Sequence, residues 1–206
     1  MITRYGSPFG EGEVVVANGA LVAVRLPHGH QSVGDEAAGR ENRSEARDAA
    51  AGDATASSRS VGSEDPAVAA RWREELEAYF RGEKLSWTAE EVDLGHLGLG
   101  DFERAVYETL LTVPAGTTVS YGVLAEMAGY PRAARAVGSA MANNPIPLVV
   151  PCHRVIRADG SLGNFGDDPS LKPRLLEHEA ACVAAEAARG KCSSDRASAT
   201  NGGAPG

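Results

Sequence analysis

The stretch Ile146-Pro147-Leu148-Val149-Val150-Pro151-Cys152-His153-Arg154-Val155 sets a thiol directly beside an imidazole, behind an apolar run. Only the thiolate of cysteine is strongly nucleophilic, and its reference pKa of about 8.5 leaves a small fraction ionised at neutral pH. A histidine within reach, directly or through one water, can take the proton. Cys152 is therefore a candidate nucleophile and His153 its candidate base.

Upstream of this run the chain reads as two short helices. Ser120 is a good N-cap for a helix starting at Tyr121, and Gly129 is a good stop. Pro131 suits the first position of a second helix over Arg132 to Ala142, which Asn143, Asn144 and Pro145 end. Two helices joined by a glycine-containing turn make a helix-turn-helix. Ala133, Ala134, Ala136, Gly138, Ser139, Ala140 and Ala142 leave the second helix almost bare. A normal helix is about 10–12 Å across and the DNA minor groove about 6 Å wide, so a stripped helix approaches such a groove more closely. Its arginines, Arg132 and Arg135, point the same way.

Further out the pattern changes. Residues 13 to 26 read as a hairpin, because β-branched runs flank Asn18-Gly19. From 31 to 66 the chain has no aromatic residue and buries too little apolar surface to offset ordering entropy, so it reads as a disordered insertion. Val68, Trp72, Leu76, Tyr79 and Phe80 then fall at helical spacing up to Gly82. Leu85-Ser86-Trp87 and Val92-Asp93-Leu94 read as short extended pieces. Gly95, Gly98 and Gly100 mark a boundary before a helix over Asp101 to Leu111. The expected units are 1–96, 97–182 and a disordered tail at 183–206.

Of the 206 residues, three are cysteines, and an odd, sparse set favours a reducing cytoplasm over a disulfide framework. Cys182 and Cys192 read as bystander thiols, and the His28-Gly29-His30 pair as coincidence rather than a metal site. No stretch is long and apolar enough to span a bilayer, and the N-terminus carries no export signal. The formal net charge of -8 argues at first against nucleic acid. The charge is uneven, however: Asp35 to Asp65 holds eight acids and four bases, whereas Thr118 to Gly160 holds two acids and four arginines. The segment with the cysteine is locally basic, which suits a weak, salt-sensitive DNA contact.

Taken together, Val119-Ser120-Tyr121, Ala133 through Gly138, Asn143-Asn144-Pro145, Pro147, Pro151 through Ile156, Gly160 through Phe165 and Leu175 through Glu179 resemble the O6-alkylguanine-DNA alkyltransferases, in order and near spacing. The resemblance covers about eighty residues. It implies an α/β protein, with a small N-terminal sheet-and-helix domain and a mostly helical, winged-helix-like domain with helix-turn-helix. It implies irreversible alkyl transfer from O6 of guanine, and less efficiently O4 of thymine, onto Cys152. His153 would act through a bridging water and Glu179 would orient the imidazole, since neighbouring side chains on an extended backbone diverge. Tyr121 would hydrogen-bond guanine N3. Arg135 would fill the space left by the flipped nucleotide, with Arg132, Ala134, Gly138 and Tyr121 against DNA. Asn144, Pro147, Val155, Gly163, Asn164 and Phe165 would build the base pocket.

The implied partner is double-stranded DNA carrying O6-alkylguanine, met by a monomer with no membrane, no cofactor and no metal. Arg154 reads as structural. Three departures from the family pattern stand out. Gly166-Asp167-Asp168-Pro169 replaces a glycine pair at the pocket loop, Gly122 replaces a polar phosphate contact, and zinc-binding cysteines are missing from the N-terminal part. With no cysteine-rich module ahead of the domain, a transcription-activating form is not expected. A damage sensor on the same scaffold would lack Cys152, and a plain helix-turn-helix regulator would require neither the Pro-Cys-His-Arg block nor Glu179.

Overall fold

Asn18 and Gly19 both take positive φ, 52° and 73°, the turn that a tight antiparallel hairpin needs. They join β2 (Gly10–Ala17) to β3 (Ala20–Arg25), and β1 (Ile2–Ser7) pairs antiparallel with the other edge of β2. The computed structural model describes residues 1–27, 65–163, 165 and 168–199. Most of the expected insertion, from 31 to 64, and the histidine pair lie outside the described residues. Asp65 and Pro66, however, belong to a helix. Asp65 caps the amides of Ala67 and Val68, and Pro66 opens α1 (Pro66–Phe80). That helix buries Ala69, Trp72, Leu76, Tyr79 and Phe80, in part against the sheet.

The piece around Val92 is not extended. Thr88 and Glu91 form a capping box that starts α2 (Ala89–Val92), and Leu94–Leu97 make a 3-10 turn. The box answers both backbone donors locally, which the hydropathy pattern alone does not reveal. From α3 (Asp101–Leu111) the chain runs to β4 (Val119–Ser120), α4 (Tyr121–Met127) and α5 (Ala134–Ala142). A 3-10 turn (Cys152–Arg154), β5 (Val155–Ile156) and α6 (Leu171–Ala199) follow. The parallel pair β4–β5, with Val119 opposite Val155 and Ser120 opposite Ile156, ties the start of the helix-turn-helix to the cysteine turn.

Three expectations are corrected here. The second helix begins at Ala134 rather than Arg132. Pro131 and Arg132 stay in the connecting turn, where Arg132 takes φ 70° and the Ala133 amide bonds the carbonyl of Tyr130. Cys152 and His153 lie on a helical turn, not on extended backbone. The tail expected to be disordered from 183 continues α6 to Ala199, and 200–206 lie outside the described residues. Its first part, Val183 to Arg189, holds four alanines with Glu186 and Arg189, residue types that favour continuing a helix.

Candidate active site

The turn between α5 and the cysteine is tied at both ends by one side chain. Asn144 donates from Nδ2 to the carbonyl of Val150 (2.9 Å) and accepts from the amide of Ile146 (3.1 Å). Within it Leu148 is fully buried at φ 72°, a conformation that leucine rarely adopts. The Asn144 bonds, with the Val150 amide on the carbonyl of Ile146 (2.9 Å), hold that strained loop closed. The sheet braces it from outside, where the amide of Val24 bonds the carbonyl of Pro145 (2.8 Å). The apolar run thus folds back on itself and delivers Cys152 at a fixed depth.

Behind the cysteine lies a buried ionic relay. His153 Nε2 meets Glu179 Oε1 at 2.8 Å, and both side chains are fully buried. Arg154 Nε and Nη2 donate to Glu179 Oε1 at 3.2 and 2.8 Å, and Nε to Oε2 at 3.0 Å. The rest of the guanidinium is also satisfied, on the carbonyls of Val113 (2.6 Å) and Leu85 (2.5 Å) and the hydroxyl of Ser86 (3.3 Å). The Gly116 amide completes Oε2 at 3.0 Å. Arg154 is the cation that balances Glu179. Burial raises the Glu179 pKa, yet His153 and Arg154 outweigh it and hold the carboxyl at about 2. Burial lowers the His153 pKa against the pull of Glu179, so the imidazole is neutral at rest. A neutral ring facing a carboxylate must carry its hydrogen on Nε2. Nδ1 is left as a lone-pair acceptor, buried and without a protein partner.

Cys152 opens on the other side into a cavity of about 800 Å³. Tyr121, Ala134, Arg135, Gly138, Asn144, Pro147, Gly163 and Phe165 line it, so most residues expected at the site meet there. A Cβ at Gly138 would meet open space, so the small side chains of α5 keep that wall thin. Two expected residues among the described ones do not join them. Val155 is fully buried in the core, because its strand pairs with β4. Arg132 is exposed in the turn ahead of α5 and does not line the cavity. Asn164 lies outside the described residues, as do Gly166 and Asp167.

One lining residue escaped the sequence reading. Lys172, nearly fully buried, bonds the carbonyl of Val155 (2.6 Å) and sits 5.8 Å over the Phe165 ring. Burial raises the Cys152 pKa, while a hydrogen bond from Asn144 and the Lys172 charge oppose it. Burial, and then the charge of Cys152, raises the Tyr121 pKa, so its hydroxyl stays a donor. A signal for Lys172 was present, since a lone lysine begins a helix whose neighbours are apolar, but nothing local says what it faces.

A masked thiol, a general base with a free lone pair, and a cavity walled by the second helix of a helix-turn-helix define a DNA-directed, thiol-nucleophile class of protein. The comparisons agree. Residues 101–181 match the model of the 6-O-methylguanine DNA methyltransferase DNA-binding domain. The chain is 45% identical over 115 residues to a methylated-DNA-protein-cysteine methyltransferase of Mycobacterium bovis, covering 56% of this chain and 67% of the relative. The enzyme of that name from Mycolicibacterium paratuberculosis is 46% identical over 122 residues, covering 59% and 72%. The structure of Mycobacterium tuberculosis OGT in complex with DNA superposes with a TM-score of 0.63 at 33% identity, covering 88% of this chain and 93% of that one. The chain belongs to the methylated-DNA-protein-cysteine methyltransferase family.

Proposed function

We propose that this protein is a stoichiometric DNA repair alkyltransferase acting on O6-alkylguanine, and less efficiently on O4-methylthymine, in duplex DNA. The observation that carries the reading is the buried, unpartnered Nδ1 of His153 behind a cysteine that opens into a cavity large enough to admit a purine. A water between Nδ1 and the thiol would pass the proton to the imidazole as sulfur attacks the alkyl carbon. The S–C bond forms, the C–O6 bond breaks, and the electron pair leaves on guanine. Tyr121 would donate a hydrogen bond to N3 as charge builds on the departing ring. The resulting thioether has no route back to a thiol, so each molecule acts once, without cofactor or metal.

The target atom lies inside the duplex, so the nucleotide has to rotate out into the cavity. Arg135, which is exposed on α5 and lines the cavity, would fill the gap. Its planar guanidinium can stack and bond the orphaned base. The domains are read as 1–96 and 97–182, the protein as a monomer on DNA, and its location as cytoplasmic, at the nucleoid if prokaryotic. Among the described residues no helix is long and apolar enough to cross a membrane.

Intact-mass spectrometry after incubation with an O6-methylguanine duplex tests the reading. One methyl per protein is expected, mapped to the Cys152 peptide; no gain, or a gain elsewhere, rejects it. Arg135→Ala is expected to slow duplex repair roughly ten- to a hundredfold, as a few kcal/mol of unstacking goes uncompensated. Transfer from free O6-benzylguanine should hardly change. Equal slowing of the two reactions would remove the intercalating role.

A further inference from the structure

Tyr79 lies on α1, one hundred residues before Glu179 in sequence, yet its hydroxyl reaches the relay. The side chain is fully buried. Its ring stacks on Trp87 (centroids 6.1 Å apart, planes at 20°) and meets Phe80 edge-on (5.1 Å, 89°). His178 Nε2 donates to its backbone carbonyl at 3.0 Å, so the residue is anchored at both ends. The aromatic packing alone asks only for a phenyl ring. The hydroxyl is an added polar group in a dry interior, where it must find a partner. It donates to Glu179 Oε1 at 3.0 Å and lies 3.5 Å from His153 Nε2.

We propose that Tyr79 is a positioning residue of the relay, through which the N-terminal region enters the chemistry: its hydroxyl shares Glu179 Oε1 with His153 and so limits the base strength of the imidazole. The inference rests on the alkyl-transfer reading above. Oε1 accepts from Tyr79, His153 and Arg154 at once. Each donor drawn to one oxygen withdraws charge from the others. Without the tyrosine hydroxyl, the His153–Glu179 bond strengthens and the imidazolium is stabilised.

The other groups around the ring do not change that sign. Glu179 and Lys172 approach from α6, and Arg154 from the same turn. Phe165 meets the ring edge-on at 6.5 Å, and His178 packs on Tyr79 at 5.4 Å. The Tyr107 hydroxyl is spent on the carbonyl of Ala140 (2.7 Å), and Tyr121 lines the cavity with Cys152. Burial, Arg154 and Lys172 all press His153 toward the neutral form, and Glu179 alone opposes them. Tyr79 therefore moderates the single influence that favours protonation.

The test is the pH profile of transfer from free O6-benzylguanine to the full chain, for wild type, Tyr79→Phe and a protein carrying 3-fluorotyrosine at position 79. Free base removes DNA binding from the readout. Tyr79→Phe is expected to move the acid limb to higher pH by roughly one unit. The fluorinated ring keeps packing and hydroxyl but is the stronger donor, so its limb is expected to move the other way. Limbs that coincide across the three proteins, whatever happens to melting temperature or plateau rate, overturn the proposal and leave Tyr79 as packing only. That result with a normal benzyl gain on wild type spares the alkyl-transfer reading. Wild type that gains no benzyl or methyl mass at any pH removes both.

Discussion

Cys152→Ala is expected to abolish alkyl uptake completely while leaving the protein folded and able to bind duplex DNA. The thiol is nearly buried, at 5% exposure, and burial lifts its pKa from the ordinary value. It is therefore a protonated thiol at rest rather than a standing thiolate. Nucleophilicity appears only as His153 withdraws the proton, and the relay has nothing to act on once sulfur is gone. Cys152→Ser makes the sharper comparison. It restores an atom that a water could bridge to Nδ1, but a hydroxyl is a much weaker acid and a poorer nucleophile toward alkyl carbon. It too should gain no methyl within the time that wild type reacts fully. Intact mass reports the chemistry, and fluorescence anisotropy with a labelled O6-methylguanine duplex reports binding. Transfer to the serine variant at a rate near wild type would mean that the thiol is not the acceptor. Loss of binding in the alanine variant would mean that Cys152 shapes the recognition surface instead.

The parts of this site that sequence revealed are those written in local rules or in a contiguous signature. Asn18-Gly19 fixed a hairpin because only a positive-φ pair closes it, and the cysteine block announced its own chemistry. The start of α5 was misread because two local rules compete there. Proline suits the first turn of a helix, but Arg132 in the left-handed region ends that possibility. Cys152 and His153 read as extended backbone, yet Leu148 and the Asn144 bonds turn the preceding apolar run back on itself, which puts Cys152 on a helical turn. The relay was half legible. His153 and Glu179 followed from the resemblance, but Tyr79, Ser86 and the carbonyl of Leu85 join it from far earlier in the chain. Such contacts carry no periodicity and no spacing, so only the folded chain shows them. The same holds for Lys172, whose partner is the backbone of β5.

Glu179→Ala is expected to cost both stability and activity, and the split between them tests how the relay works. Among the described residues, the carboxylate is the only anion that partners the buried Arg154. Removing one member of a buried ion pair strands the other, which typically costs about 3–5 kcal/mol. Differential scanning calorimetry should show a large fall in Tm. Glu179→Gln keeps the volume and a carbonyl oxygen toward His153 Nε2, yet removes the charge that balances Arg154. It should be nearly as inactive as the alanine variant and more stable.

The wild-type pH dependence follows with the same sign from two groups. Glu179 is held at about 2 in the fold against an ordinary 4.5, so its stabilisation is full above about 4.5 and is lost as pH falls toward 2. His153 is buried neutral with its pKa below the ordinary 6.5, so the unfolded chain binds the extra proton as pH drops through that value. Stability of wild type should therefore decline in two stages on acidification, first through the histidine range and then through the carboxylate range. The glutamine variant should lose the second stage from this site and show the first in stronger form, because Glu179 no longer opposes the burial of His153 and the folded-state pKa falls further below the unfolded one. Urea titrations at stepped pH measure both. Superimposable acid profiles for wild type and Glu179→Gln would show that the carboxylate is not the charge that Arg154 and His153 share.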